Sequence, residues 1–316
     1  MTFSIVARDS ETGDLGVAVQ SKFLAVGAVV PWARAEVGAI ATQAFANVGY
    51  GPAGLAALTS GATASEALES LLGADELRAE RQVGIVDASG RAASHTGSHC
   101  FRWAGGRVGE SYAAQGNILA GAAVVDVLAE RFTAGGLPFA ELLVACLADA
   151  DSAGGDRRGR QSAALLVVRT GGGYGGGNDR WIDLRIEDHP DPIGELGRVL
   201  ALQRLYFDRP AVGDLVPLDS TLAMELRTRL TSLGAGPGGS LGATYQTMSG
   251  ETPEGEPRPA IGTIRDLPEG WTVEWQRALV DWMSVENLEE RTAAAGWVDP
   301  SVVAFIRNRS KAVSAG

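Results

Sequence analysis

The chain has 316 residues, enough for about two domains at ~150 residues each, and its 27 basic against 38 acidic side chains give a net charge of −11. Hydrophobic residues at 45% and charged residues at 21% are the balance of a globular protein, which excludes wholesale disorder and fibrous structure. The negative charge repels phosphate backbones and anionic lipid surfaces, and no basic run interleaved with aromatics offsets it, so nucleic-acid and membrane-surface binding are excluded as main functions.

In chain order, TFSIVARD (2–9) and LGVAVQSKF (15–23) read as strands joined by the turn residues SETGD (10–14). AVGAVVPWAR (25–34) and GAIATQAF (38–45) are short apolar runs of the kind found in strands buried on both faces. Helical spacing follows at 52–59 and 63–72, with Thr63 and Glu66 placed as a capping box. RQVGIVDASGRAASHTG (81–97) reads as strand, turn and strand, SYAAQGNIL (111–119) as a further strand, and 120–133 and 137–149 as helices. QSAALLVVR (161–169) and WIDLRIED (181–188) are strands flanking the loop GGGYGGGND (171–179), and a helix at 191–206 closes the unit. Strand layers, each followed by paired helices, predict an α+β fold: a four-layer αββα sandwich rather than a doubly wound parallel sheet.

A composition break at Arg209-Pro210 places a boundary at about 208, with the sandwich at 1–208 and a small, mostly helical domain at 209–316. Within the second, helices are expected at 218–232, 271–292 and 299–309, with a Gly/Pro-rich loop at 234–259. The two cysteines, Cys100 and Cys146, allow at most one bridge. With no signal-like segment and no apolar stretch of ~18 residues, the expectation is a reduced, cytoplasmic protein without a membrane span.

Thr2 is the sharpest chemical feature. A small second residue permits removal of the initiator methionine, which would leave a hydroxyl nucleophile and an α-amine base on one residue. That amine, with a pKa of about 7.7–8.0, is partly neutral at physiological pH and can take the hydroxyl proton during attack on a carbonyl. The paired strand carries Ser21 and Lys22, and lysine is scarce: only Lys22 and Lys311 occur among 27 basic residues. A compact ammonium at Lys22 would lower the amine pKa and steady an alkoxide.

The stretches TFSIVARD (2–9), GVAVQSKFLAVGAVVPWA (16–33), GAIATQAFANVGYGPAGL (38–55), RQVGIVDASGRAASHTG (81–97), AAQGNILAG (113–121), GGDRRGRQSAALLVV (154–168) and DLRIEDHPDPIGEL (183–196) resemble, in this order, the family known as domain of unknown function 1028. That family is similar in fold to the N-terminal-nucleophile (Ntn) hydrolases. The resemblance covers about residues 2–206 and implies an αββα sandwich with Thr2 where Ntn enzymes carry their nucleophile; it implies no substrate. WQRALVDWMSVENLEERTAAAGWVDPSVVAFIRNR (275–309) looks like a helical module described as a putative peptidoglycan-binding domain. In the absence of an export signal, the expected role of that module is docking or homo-oligomer formation.

Other polar residues complete the candidate site. Gln43, Asn47 and Asn117 lie at strand ends beside glycines, where amides can donate to an oxyanion. GGDRRGRQS (154–162) offers Asp156, Arg157, Arg158 and Arg160 as a carboxylate clamp, with Arg160 preferred, or as a turn held by Asp–Arg pairs. His95, His99 and Cys100 have metal-like spacing, but on a strand and turn with no acidic partner, so no metal and no cofactor are expected. The reading is a cofactor-free hydrolase of a small amide, with Thr2 as nucleophile and base, Ser21 and Lys22 beside it, and Gln43, Asn47, Asn117, Asp156 and Arg160 around the substrate. The alternatives are a non-catalytic binding or assembly protein on the same scaffold and, as a second enzyme reading, metal-assisted hydrolysis through His95 and His99.

Overall fold

The computed structural model describes residues 2–237 and 260–314, so most of the loop expected at 234–259 lies outside the described residues. Residues 2–8 alternate between two buried faces, because successive side chains of a strand point to opposite sides of the sheet. Phe3, Ile5 and Ala7 enter one core and Val6 another. This strand, β1 (Thr2–Arg8), pairs with β2 (Leu15–Ser21) through the expected turn. After them come β3 (Pro31–Arg34), β4 (Gly38–Ala44), helices α1 (Tyr50–Thr59) and α2 (Ala64–Gly73), then β5 (Arg81–Asp87), β6 (Ala92–Thr96), β7 (Gly105–Gly109) and β8 (Tyr112–Asn117). Helices α3 (Ala123–Ala134) and α4 (Phe139–Ser152), strands β9 (Ser162–Val168) and β10 (Arg180–Ile186), and helix α5 (Pro192–Phe207) follow.

The strands form a six-stranded sheet in the order β10-β9-β2-β1-β8-β7 and a four-stranded sheet in the order β3-β4-β5-β6. Every pairing in them is antiparallel. Val6, Val17, Val19, Ala39, Ala41, Val86 and Leu166 make one core that both sheets share. Phe3, Ile5, Leu165 and Ile182 instead join Leu128, Leu143 and Leu147 of α3 and α4. Ile40, Val83 and Ile85 join Leu58, Leu68 and Leu71 of α1 and α2. Helix α1 approaches its sheet closely: a Cβ on Gly51 would lie 2.1 Å from Cδ2 of Trp32, so only glycine fits there. The capping box of α2 is present, with Thr63 Oγ1 accepting from the Glu66 amide at 3.2 Å and Glu66 Oε2 accepting from the Thr63 amide at 2.8 Å.

Two elements differ from expectation. Residues 25–34 are a strand only from Pro31; Ala25 takes φ 53° and Val26–Ala28 form a 3-10 turn. The Ala25 amide bonds the Glu187 carbonyl and the Val26 amide bonds Ser162 Oγ, so this segment packs onto β9 and β10 instead of pairing along β4. Strand β7, with three glycines in five residues, carries no apolar pattern and was not foreseen.

The chain falls into two compact units that divide between Leu200 and Ala201, within α5. The second contains α6 (Ser220–Ser232), α7 (Val273–Val285), α8 (Pro300–Ser314) and the short pair β11 (Val216–Pro217) and β12 (Trp297–Val298). The helix expected over 271–292 ends at Val285, just before Asn287 adopts φ 58°. Leu226, Leu230, Leu279, Trp282, Val302 and Ile306 form its core. Glu225 of α6 accepts from Arg307 of α8 and from Arg229, and these guanidinium bonds hold its carboxyl down to about 2. No helix among the described residues is long and apolar enough to cross a membrane.

Candidate active site

At one end of the space between the sheets, the apolar pattern gives way to polar side chains on the same strand faces. Thr2 pairs with Ser21 of β2 on one side and with Asn117 of β8 on the other. Thr2 Oγ1 lies 3.0 Å from Ser21 Oγ, and Thr2 is 7% exposed. From the facing sheet, Gln43 Nε2 donates to the Thr2 carbonyl at 3.3 Å and to Gln82 Oε1 at 2.9 Å. Gln82 Oε1 also accepts from Asn117 Nδ2 at 2.9 Å, while Gln82 Nε2 donates to Thr96 Oγ1 and to the Gly105 and Gly116 carbonyls. Behind Thr2, Ser4 Oγ donates to Gln43 Oε1 and accepts from Gln115 Nε2, both at 2.7 Å. Both amide hydrogens of Gln43 are thereby engaged, whereas Asn117 keeps a second N–H beyond the one given to Gln82.

The structure brings Thr2, Ser21, Gln43 and Asn117 together and puts the other candidates elsewhere. Lys22 follows Ser21, and strand alternation turns it away from the face that Thr2 and Ser21 share. Its Nζ donates to the Arg160 carbonyl at 3.3 Å and its amide to Asp156 Oδ2 at 2.9 Å. The Asp156 carboxylate also accepts from the Arg158 amide, so it fastens backbone. Arg160 pairs with Asp151 at 2.6 Å, which fits the turn reading of this segment better than a substrate clamp. Asn47 turns to Asp75 at 3.2 Å and accepts from the Gly49 amide; it is not brought to Thr2.

Lys22 and Ile118 stand one residue past the two partners of Thr2; the Lys22 amide is bound by Asp156, and the Ile118 carbonyl accepts from the Arg157 amide. Backbone strain gathers here as well. Ala44 directly after Gln43 has φ 69°, and Ile118 directly after Asn117 has φ 52°. A β-branched residue in the left-handed region is rare, and such outliers persist where the surrounding structure forces them. Both turn the chain sharply at the two amides that flank Thr2.

His95 and Cys100 each meet a backbone carbonyl. His95 Nε2 lies 2.9 Å from the Arg78 carbonyl, Cys100 Sγ donates to the Arg81 carbonyl, and among the described residues no group of His, Cys, Asp and Glu could hold a metal. Cys100 and Cys146 are both free, and burial pushes the Cys146 thiol up to about 12.

Next to Gln43 on the strand order, Arg81 donates to Asp75 at 2.8 Å and to the Phe45 carbonyl at 2.6 Å, and Tyr50 donates to Asp75 at 2.9 Å. The Arg81 guanidinium holds the Asp75 carboxyl well below the usual carboxylate range, against the opposing effect of burial and with help from Asn47, Tyr50 and the Leu77 amide. A depressed folded pKa gives stability that is present above the unfolded value of about 3.9 and is lost as pH falls below it. Asp75→Asn is therefore expected to melt below the unsubstituted chain at pH 6, with the gap narrowing as pH drops from about 4 toward 2.5. Thermal melts followed by circular dichroism check this; a gap that stays constant with pH would contradict it.

Ser4, Gln82 and Gln115 were not read as site residues from the sequence. Their signal was parity: each breaks an apolar strand at the phase of Thr2 and Val6, the phase that faces the opposite sheet.

Comparison with known proteins places these motifs. The profile of a family of unknown function (DUF1028) matches residues 2–196, and that of a "putative peptidoglycan binding domain" matches residues 265–306. None of the curated proteins compared with the chain matches it. A crystal structure of a DUF1028 protein from Silicibacter pomeroyi is similar at a TM-score of 0.59 and 33% identity, over 64% of this chain and 89% of that one. The strand-end motifs that surround Thr2 all fall inside the first match, and the chain belongs to the DUF1028 family.

Proposed function

We propose that the first unit is an N-terminal-nucleophile amidohydrolase on a four-layer αββα sandwich, with Thr2 as its nucleophile once the residue before it is removed. The observation that carries this reading is the Thr2 hydroxyl at the start of β1, 3.0 Å from Ser21 Oγ. A free α-amine on Thr2 takes the hydroxyl proton as Oγ1 attacks the amide carbonyl carbon. The tetrahedral intermediate collapses, the C–N bond breaks, and the nitrogen leaves as the amine with that proton. Water, deprotonated by the same amine, then cleaves the acyl ester and releases the acid. Asn117, with its spare N–H, is the side-chain donor for the oxyanion, and Ser21 orients the hydroxyl. Gln43 is a positioning residue, since its amide hydrogens are engaged. Lys22, Asp156 and Arg160 hold the end of β2 and the loop at 156–160.

An amine base sets the sign of the pH dependence. Release of p-nitroaniline from a panel of N-acyl p-nitroanilides is expected to rise as pH climbs through about 7–8, where the amine becomes neutral. A rate that is flat from pH 6 to 9 would argue against the amine as base. The match of residues 265–306 to a "putative peptidoglycan binding domain" favours a second reading, a binding protein in which Thr2 is inert and the helical module recruits a polymer; that reading predicts no turnover of any anilide.

A further inference from the structure

Most aromatic side chains of the first unit are buried or partly covered, but three of its phenylalanines are not. Phe23 is 51% exposed, Phe45 64% and Phe101 75%, with Leu24 at 59% beside Phe23. Phe23 and Leu24 follow the end of β2, Phe45 follows the end of β4, and Phe101 lies in the loop between β6 and β7, bonded to the end of β8. Phe23 is two residues past Ser21, the β2 partner of Thr2, and its carbonyl is fastened by Ser162 Oγ. Phe45 is two residues past Gln43, which donates to the Thr2 carbonyl; its own carbonyl is held by Arg81, whose guanidinium lies 5.3 Å from the ring centre. Phe101 accepts through its carbonyl from the Ile118 amide, one residue past Asn117.

Three exposed rings are thus each fixed through their own carbonyl, by a partner within a few residues in sequence of a strand end that bonds or pairs with Thr2 or by a side chain from a neighbouring strand. Exposed rings whose backbones are already fixed lose little entropy when they close on an apolar group. Ala44, directly before Phe45, and Ile118, whose amide bonds the Phe101 carbonyl, are the strained left-handed residues.

We propose, resting on the Thr2 reading, that this collar selects amides whose acyl group is aromatic or bulky and aliphatic, seated against Phe23, Leu24, Phe45 and Phe101, in preference to acetyl-sized groups. The gain is expected in acylation, because the acyl group touches the collar while its carbonyl meets Thr2.

The test separates this inference from the catalytic reading by measuring binding as well as turnover on the full chain. Thr2→Ala is titrated with phenylacetamide and with acetamide by ligand-observed NMR. Phenylacetamide is expected to bind at least about tenfold more tightly, the effect of burying one ring. Phe45→Ser and Phe101→Ser, each placed on the Thr2→Ala background, are expected to erase most of that ratio; two variants guard against one failing to fold. In the unsubstituted chain, kcat/KM for phenylacetyl p-nitroanilide is expected to exceed that for acetyl p-nitroanilide by a similar factor. Equal binding of the two amides would overturn the collar whatever Thr2 does. Selective binding without hydrolysis would keep the collar and sink the nucleophile. A concentration-dependent dimer that Phe45→Ser dissociates, with no amide selectivity, would assign the surface to a second copy of the chain and overturn the proposal.

Discussion

Gln82→Leu is expected to lower the unfolding free energy by about 3–4 kcal/mol, because it strips partners from several buried groups at once. Leucine fills nearly the same space, so the loss is not chiefly one of packing. The Gln82 amide accepts from Gln43 and Asn117 and donates to Thr96 and to the Gly105 and Gly116 carbonyls, all within the sheet interface. Each buried polar group left without a partner is worth about 1–3 kcal/mol, and neighbouring losses add incompletely. Urea denaturation reads the result as a shift in midpoint. A variant within about 1 kcal/mol of the original would show that the polar end relaxes and that Gln43 and Asn117 do not depend on Gln82. Gln82 is 0% exposed and does not meet Thr2 directly, so its effect falls on the geometry of the amides that do.

The second large effect concerns Thr2. Thr2→Ala is expected to reduce anilide hydrolysis by at least ~1000-fold, since no other hydroxyl in the site carries its own amine. Thr2→Ser keeps the hydroxyl and the amine and is expected to retain activity within about tenfold. Ser21 cannot replace Thr2: it lies mid-chain, 0% exposed, with its nitrogen in a peptide bond. Equal rates in Thr2→Ala and the original would remove Thr2 from the chemistry and shift the function toward binding.

Much of this was legible in the amino-acid sequence. The hairpin of β1 and β2, the capping box of α2 and the strand at 162–168 follow from alternation, apolar runs and local capping chemistry, which need no distant partner. Thr2 and its neighbour Ser21 were legible for the same reason, since one short hairpin sets them opposite each other. The place of Lys22 depends on parity and not on adjacency to Ser21: the residue after an inward-facing serine turns outward, and its ammonium reaches the Arg160 carbonyl. Gln82 was hidden in RQVGIVD, where a glutamine beside the charged strand end gives no hint of what crosses from the facing sheet. Asn47 and Asp75 are 28 residues apart, and their bond needs the turn of α1 and α2 to form before it can be seen. The exposed phenylalanines look like core residues in the sequence; only the strand ends reveal that they stand outside.

The central claim is a free, nucleophilic Thr2, and its most direct test is the intact mass of the native protein before and after a hydroxyl-reactive β-lactone. The account predicts a chain that begins at Thr2, a single added lactone mapped by fragmentation to Thr2, and no adduct in Thr2→Ala. A chain that retains the residue before Thr2, or an adduct that persists in Thr2→Ala, would contradict it.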